Sequence, residues 1–363
     1  MIRTGAPTRF LTVIPTTEHV PQQGRVRCVL CAAAAVIVAL CASVAPARAA
    51  AHLFTVTIAG AYTRAQPLLS APRKTAVFAG EVHVALARTA DNVWVELVEG
   101  WLLVQYGRFD GDMAALPAIV PPAKTVKQAP PALPRWITPV STTAKKLFAV
   151  KTPDKDPHVF TVIGDCNSVP EAFMGRVAMG LFDVGVAPQL APAIEQFAAA
   201  FARDSVAAFA GFNSASVLDP QWANPQFCMA GEGPLACELR RSKASIAFVA
   251  LGTGDQFTWK DFERNYRAVI ERLLARKVLP VLVTKADDLE SQQGGAPAGF
   301  INDVVRKLGR EYDVPVIDFW AATRSLPNYG MRWEGNENFH MSAAGSDLRI
   351  LLALHTLAAV NTP

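Results

Sequence analysis

The sequence has few charged residues, and their signs are nearly balanced. Charged residues make up 18% of the 363 residues, below the average of about 25%. Lys and Arg outnumber Asp and Glu only by 35 to 31, and no basic run interrupts the chain. The composition therefore gives no indication of a nucleic-acid-binding surface. Hydrophobic residues make up 51%, which excludes a chain that is disordered throughout.

The longest apolar run lies near the N-terminus. It spans residues 28–45, follows two arginines, and precedes two small-x-small sites that end at Ala47 and Ala49. This order is typical of a secretory signal and predicts that residues 1–49 direct export. The run is also long enough for a membrane anchor, since about 18 apolar residues can span a bilayer. Removal of the segment and its retention as an anchor both remain open, and either places the rest of the chain outside the cytoplasm.

Cysteine is scarce after this segment. Cys166, Cys228 and Cys237 remain, an odd number, so an exported chain leaves one thiol unpaired. Cys228 and Cys237 are close in sequence within a stretch rich in Gly and Pro, and we expect them to form the disulfide. Cys166 is then the free thiol. The alternative is that all three are reduced and buried as small apolar residues.

Strand and helix patterns divide the rest of the chain. Residues 53–112 carry short strands separated by turn residues, which predicts a small all-β, barrel-like domain. Residues 113–144 are Pro-rich and predict a semi-rigid linker. Residues 145–363 alternate continuous apolar strands with amphipathic helices, which predicts an α/β domain around a parallel sheet. Its five strands are expected at 158–164, 206–212, 245–252, 279–285 and 314–320, and its main helices at 262–277, 300–312 and 343–360.

Polar residues follow four of these strands at the edge where open α/β sheets bind ligands. They are Gly164–Ser168 after the first strand, Gly211–Ser214 after the second, Gly252–Asp255 after the third, and Glu337–His340 in a long loop after the fifth. His340 is the one histidine outside the predicted signal that we expect at this edge. It is therefore the candidate general base.

The order of these blocks resembles that of the SGNH, or GDSL, hydrolase superfamily over residues 145–360. The resemblance implies a flavodoxin-like, three-layer α/β fold. The family's first block reads G-D-S with Ser as nucleophile, and here it reads G-D-C, so Cys166 would attack. The last block, D-x-x-H, corresponds to Glu337 through His340. It implies that His340 is the base and that Glu337 orients it.

The middle blocks depart from the family pattern. The resemblance places oxyanion-stabilising N–H groups at Cys166, Ser214 and Gly254, but Gly254 stands where the family has Asn. Loss of one such donor typically slows an enzyme about 100- to 1000-fold. The neighbouring residues assigned to substrate binding are Asp165, Asn167 and Asp255.

Two functions follow from these features. The first is an exported hydrolase of an ester or acyl group, on a small or glycan-linked substrate, and the Cys166–His340 pair favours it. The second is a catalytically degenerate scaffold that binds the cell envelope, and Gly254 favours it. We expect no cofactor, because Gly252–Gly254 lacks the spacing and Lys of a phosphate-binding loop. We expect no metal, because no Cys/His spacing fits zinc and the acidic run at 287–290 is typical of a solvated turn.

Residues 53–108 resemble a bacterial Src-homology-3-like domain. The resemblance rests on a Gly-Glu pair, an R-T-x-D-x-x-W-V strand and a closing Gly-Trp, with tryptophans at Trp94 and Trp101. In exported bacterial proteins it implies a module that binds a cell-wall or envelope polymer or acts as a spacer. Trp94 is expected in the barrel core.

Overall fold

An antiparallel sheet and a parallel sheet follow each other along the chain. The computed structural model describes residues 52–121, 131–287, 289–292, 295–333 and 339–361, so the predicted signal lies outside the described residues. Residues 50–363 cluster as one unit, in which both sheets contribute to the buried core.

The N-terminal sheet is built from short strands. They are β1 (Leu53–Val56), β2 (Gly60–Arg64), β3 (Arg73–Phe78), β4 (Val82–Thr89), β5 (Trp94–Leu97), β6 (Gly100–Leu103), β7 (Gly107–Asp110) and β8 (Ala118–Ile119). The order is β3-β2-β6-β5-β4-β1-β7, and β8 pairs with β4. All pairings are antiparallel except that of β8 with β4. Trp94 and Trp101 are buried, as expected of core residues.

The second sheet is parallel. Its strands are β9 (Asp156–Gly164), β10 (Ala244–Ala250), β11 (Leu279–Val283) and β12 (Val316–Ile317), in the order β12-β11-β10-β9. Every residue of β10 and β11 is buried, because both faces of a parallel sheet are covered. The helices are α1 (Thr142–Ala149), α2 (Gly175–Ala178), α3 (Ala191–Gln196), α4 (Ala198–Phe201), α5 (Pro234–Ser242), α6 (Trp259–Ala275), α7 (Leu289–Gln292), α8 (Phe300–Glu311), α9 (Phe319–Thr323) and α10 (Ala343–Val360).

The strand predicted at 206–212 does not form, so the parallel sheet has four strands among the described residues instead of five. A single parallel bridge joins Ala208 to Gly164 beside β9. Ala and Gly dominate this segment and favour strands weakly. The N–H of Val206 donates to the Glu238 carboxylate at 3.0 Å rather than to a strand partner.

Both ends of the predicted linker belong to the two sheets. At one end, β8 pairs with β4. At the other, Ile137 bridges Ile317 antiparallel, and the N–H of Thr138 donates to the carbonyl of Val316 at 3.0 Å. Residues 136–138 therefore cover the outer edge of β12. Residues 122–130 lie outside the described residues.

Buried polar contacts hold the N-terminal sheet against the second sheet's helices. The Arg64 side chain is 1% exposed and donates to the carbonyl of Val177 at 2.7 Å. The N–H and hydroxyl of Ser70 both donate to the Glu195 carboxylate at 2.7 Å. Such contacts are costly to break, because each would leave a buried polar group unpaired.

Helix α10 closes the chain against the core. In the part of the chain that the structure describes, it is the single helix long and apolar enough to cross a membrane, and 61% of it is buried inside the protein. Ser342 caps its first turn by accepting from the N–H of Gly345 at 3.1 Å. One cation, Arg349, lies inside this otherwise apolar helix and reaches the turn after β9.

Candidate functional site

The candidate site is built on the turn Gly164–Asn167, which ends β9. Asp165 is buried in this turn and accepts from the N–H of Asn167 at 3.0 Å. A Cβ atom at Gly164 would lie 2.9 Å from the carbonyl oxygen of Ala250 and would also meet Ser168. The close approach of the turn to β10 therefore requires glycine at this position.

Asn167 ties this turn to the loop that carries His340. Its Nδ2 donates to the carbonyl of Phe339 at 2.7 Å, and its Oδ1 accepts from the N–H of Met341 at 3.1 Å. The side-chain amide of Asn167 thus bonds to the residues on both sides of His340, and Asn167 itself directly follows Cys166. The backbone positions of Cys166 and His340 are therefore held in adjoining segments. Glu337 lies outside the described residues.

Cys166 is a half-buried free thiol. Burial and the neighbouring Asp165 carboxylate raise the pKa of the Cys166 thiol to about 12. The other two cysteines form the expected disulfide: the Cα atoms of Cys228 and Cys237 are 5.2 Å apart, inside the usual 4.4–6.8 Å range.

A charged cleft opens between the ends of β9, β10 and β11. Asp165 and Asn167 line it, as do Phe339 and Met341, whereas the two residues between these pairs, Cys166 and His340, do not. Its other polar lining comes from α10 and from the segments that follow β10 and β11, and these side chains belong to Thr253, Thr284, Lys285, Asp287 and Arg349.

Arg349 is the central cation beneath the turn, and the motif-based analysis did not single it out. It is 3% exposed, donates to the carbonyl of Asn167 at 2.7 Å and to Ser168 Oγ at 3.1 Å, and lies over the Phe173 ring. Burial lowers the pKa of Arg349 to about 10, and the negative charge of Asp165 opposes that change. The signal in the sequence was a lone cation in an apolar helix, which requires a buried partner.

The acidic run after β11 is not a solvated turn, contrary to the sequence-based interpretation. Asp287 and Glu290 are 4% and 2% exposed. Lys285, which is also buried, donates to both carboxylates, at 2.5 and 2.8 Å. Thr253 donates to the other oxygen of Asp287 at 2.8 Å. Lys285, Asp287 and Glu290 thus form a buried ion-pair cluster beside the cleft.

Burial at the site raises the pKa values of two carboxyl groups. The pKa of Asp165 rises to about 6, although Arg349 and the N–H of Asn167 oppose the effect. The pKa of Asp255 also rises to about 6, although hydrogen bonds from Ser214 oppose it. Within the residues described, no three His, Cys, Asp or Glu side chains are grouped as metal ligands.

Asp255 and Ser214 bond to each other rather than facing a substrate. Asp255 is 1% exposed and accepts from both the N–H (3.0 Å) and the hydroxyl (2.5 Å) of Ser214, which is fully buried. In this structure the Ser214 N–H is therefore occupied by Asp255, and Asp255 fixes the loop that carries Ser214. Asn167 is likewise occupied as a bridge.

The structure also explains why residue 254 is glycine. A Cβ atom there would lie 2.7 Å from the carbonyl oxygen of Phe212 and 3.3 Å from Asn213 Cβ. The loop after β10 and the loop near 212 approach each other too closely for the family's Asn. Gly254 can contribute only its backbone N–H.

Residues 183–348 match the model of the GDSL-like Lipase/Acylhydrolase family. The match contains His340 and begins after the Gly164–Asn167 turn. No curated protein matches the chain.

Solved structures with some similarity include a GDSL-like lipase from Bacteroides thetaiotaomicron, with 13% identity, a TM-score of 0.35, and coverage of 59% of this chain and 94% of that chain. An acetylxylan esterase from Geobacillus stearothermophilus has 12% identity, a TM-score of 0.35, and coverage of 58% of this chain and 98% of that chain.

Proposed function

We propose that the protein is an exported hydrolase of an ester or acyl group, with Cys166 as nucleophile, His340 as general base and Glu337 as the carboxylate that orients it. The observation that carries the proposal is the Asn167 bridge, which fixes the residues flanking His340 to the residue after Cys166. The family match over residues 183–348 supports the same reaction class. We infer a flavodoxin-like layering of this part of the chain.

The high pKa of the thiol decides how the reaction would begin. Because burial and Asp165 raise the pKa of Cys166 to about 12, the thiol is protonated at neutral pH and needs a base at the moment of attack. His340 would take this proton as the sulfur bonds to the acyl carbon. The alcohol would leave with that proton as its C–O bond breaks, and a thioester to Cys166 would remain.

Water would complete the cycle. His340 would accept a proton from water as the water oxygen attacks the thioester. The C–S bond would then break, the sulfur would recover the proton from His340, and the carboxylic acid would leave. The N–H groups of Cys166 and Gly254 would stabilise the oxyanion in both steps. Without a side-chain donor at position 254, we expect slow turnover or an activated substrate.

The experiment is hydrolysis of nitrophenyl acetate by the purified protein. We expect slow turnover that iodoacetamide and Cys166→Ala abolish, and an acetyl group on the Cys166 peptide in a quenched reaction. His340→Ala should remove activity while leaving the disulfide and the melting temperature unchanged. Activity that survives Cys166→Ala would contradict the proposed nucleophile.

The alternative is a degenerate scaffold that binds without turnover. The occupied Ser214 N–H and the glycine at 254 favour it, because both reduce the stabilisation of an oxyanion. It predicts no acetyl group on Cys166 and no activity in any variant. The acyl-enzyme experiment separates the two functions.

We also infer that residues 53–108 are a Src-homology-3-like module that contacts an envelope polymer. The support is the sequence resemblance and an outer surface with exposed apolar side chains, among them Phe78, Val82 and Val98. The full chain should co-sediment with purified cell-wall sacculi, and Val82→Asp should weaken this co-sedimentation.

Export is tested by whether residues 1–60 carry a fused periplasmic reporter across the membrane.

A further inference from the structure

An uncharged loop lies on the opposite side of the Gly164–Asn167 turn from the charged cleft. The cleft faces β10 and β11, whereas this loop follows the bridge on the other edge of β9. The N–H of Phe209 donates to the carbonyl of Gly164 at 3.2 Å, so the loop begins beside the turn that carries Cys166. From Ser205 to Gly231 the sequence contains one charged residue, Asp219. We call residues 205–231 the aromatic loop.

The aromatic loop exposes three large rings: Arg241 lies over that of Phe227, and those of Phe209 and Trp222 flank Phe212. Phe209 is 63% exposed and Trp222 is 52% exposed. Phe212 is buried between them, with its ring centre 5.8 Å from that of Phe209 and 6.2 Å from that of Trp222. Burial of an apolar side chain of this size stabilises a fold, so the exposed Phe209 and Trp222 forgo that stabilisation. Grouped exposed apolar side chains of this kind mark binding surfaces.

The loop holds these rings in place without a ligand. Asn213 Oδ1 accepts from the N–H groups of Ala215 and Ser216 at 3.0 and 2.8 Å. The Asp255 carboxylate fixes Ser214, and Cys228 is covalently joined to α5. A binding surface that is already ordered loses less entropy when a ligand arrives.

The charge, amides and rings of the aromatic loop indicate which class of ligand it would bind. The loop carries one charged side chain, Asp219, and Arg241 of α5 lies over Phe227. The surface around Phe209 and Trp222 therefore does not favour a phosphate, a polyamine or an anionic membrane. Exposed amides interleave with the rings at Gln221, Asn224 and Gln226. Flat apolar rings beside amide donors and acceptors complement a sugar ring, which has C–H groups on its faces and hydroxyls at its edge. The rings are open to solvent, whereas an acyl chain is buried best in an enclosed apolar pocket.

We propose that Phe209 and Trp222 bind a neutral sugar chain, placing an acyl group carried by that chain at Cys166. Only the placement of an acyl group at Cys166 rests on the proposed hydrolase function. Sugar binding at the two rings does not require turnover. It adds to the proposed function a substrate class, an acylated neutral glycan, and the side chains that select it.

The experiment measures binding directly by isothermal titration calorimetry with three neutral probes, xylohexaose, cellohexaose and N-acetylchitohexaose. The full chain should bind at least one of them. Trp222→Ala should weaken that binding about tenfold, and Phe209→Ala should do so to a similar extent, as loss of an aromatic contact would. Tyr329→Ala is the matched control, since it removes a ring that is 50% exposed and lies beyond α9, outside both proposed binding surfaces, and it should leave binding unchanged.

The outcomes separate this inference from the hydrolase proposal. Cys166→Ala should bind the same hexasaccharide as the wild type, so a protein that binds sugars without turnover would refute the hydrolase alone. Binding that is insensitive to both ring variants, or absence of binding to all three probes, would overturn the sugar site. Binding of octanoate in place of the hexasaccharides, lost in Trp222→Ala, would assign the rings to an acyl chain and also overturn it.

Discussion

The Gly164–Asn167 turn separates two surfaces that are built in opposite ways. On the cleft side, charged side chains are buried and bonded to neighbours. On the aromatic-loop side, large apolar side chains are exposed and charge is nearly absent. A buried polar network stabilises a protein only when its partners are all present. We therefore expect the cleft to tolerate few substitutions and the exposed rings to tolerate many, although both adjoin the same candidate nucleophile.

The largest expected effect is at Arg349. Arg349→Met keeps an unbranched apolar stem but leaves the Asn167 carbonyl and Ser168 without their donor and Asp165 without a nearby cation. We expect a loss of roughly 3 kcal/mol in the free energy of unfolding, measured by urea denaturation. Trp222→Ala should change it by only about 0.5 kcal/mol. Equal losses in the two variants would remove the contrast between the surfaces.

Asn167 should affect the reaction more than the fold. Asn167→Ala removes both bonds to the loop around His340, and misplacement of a catalytic group by about 1 Å can cost about 100-fold in rate. We expect a fall of that order in kcat/KM for nitrophenyl acetate, with a stability loss of about 1–2 kcal/mol. Asn361→Ala, at the end of α10, is the matched control. A similar rate in Asn167→Ala and wild type would show that the bridge does not position His340.

Substitutions at Gly254 test how closely the loop after β10 packs against the aromatic loop. From the family pattern alone, Gly254→Asn should raise the rate by restoring an oxyanion donor. The structure predicts the opposite, because the new Cβ would meet the Phe212 carbonyl oxygen at 2.7 Å. We expect a stability loss of about 1–3 kcal/mol without a gain in rate, and Gly254→Ala should show the same loss. Faster hydrolysis at an unchanged melting temperature would mean that the loop can move aside.

The smallest expected effect is a pH dependence at Asp255. Its pKa of about 6 in the folded protein lies above the ordinary 3.8, so the neutral carboxyl is favoured by folding. This contribution is complete below pH 3.8 and is lost as the pH rises to about 6. The melting temperature of the wild type minus that of Asp255→Asn should therefore be larger at pH 4 than at pH 7.5. A pH-independent difference between the two melting curves would contradict the raised pKa.

Local pattern predicted much of the framework. Helix α10 begins and ends where the sequence indicated, because Ser342 supplies a capping oxygen and the apolar run ends at Val360. The Cys228–Cys237 pair was found from spacing and turn residues. The strand at 206–212 was wrong, because a short apolar run cannot be distinguished from a buried loop when its residues are mostly Ala and Gly.

The partners of polar side chains could not be read from sequence. Asp287 and Glu290 resemble a solvated turn until Lys285 is seen to be buried with them. Ser214 and Asp255 lie in separate blocks, and nothing in either block indicates that they bond to each other. Asn167 was noticed for its position, but its bridge depends on a loop that is distant in sequence. Such pairings depend on tertiary contacts rather than on local periodicity.

The segment over the edge of β12 has a consequence for how the chain is made. An uncovered strand edge invites pairing with another molecule, which leads to aggregation. Here the covering residues, 136–138, are synthesised long before Val316 and Ile317. Residues 136–138 are therefore already present when β12 is made, and they can pair with its outer edge as soon as it joins the sheet. Ile137 lies outside the candidate site, and changing it to proline should raise the fraction that aggregates during refolding.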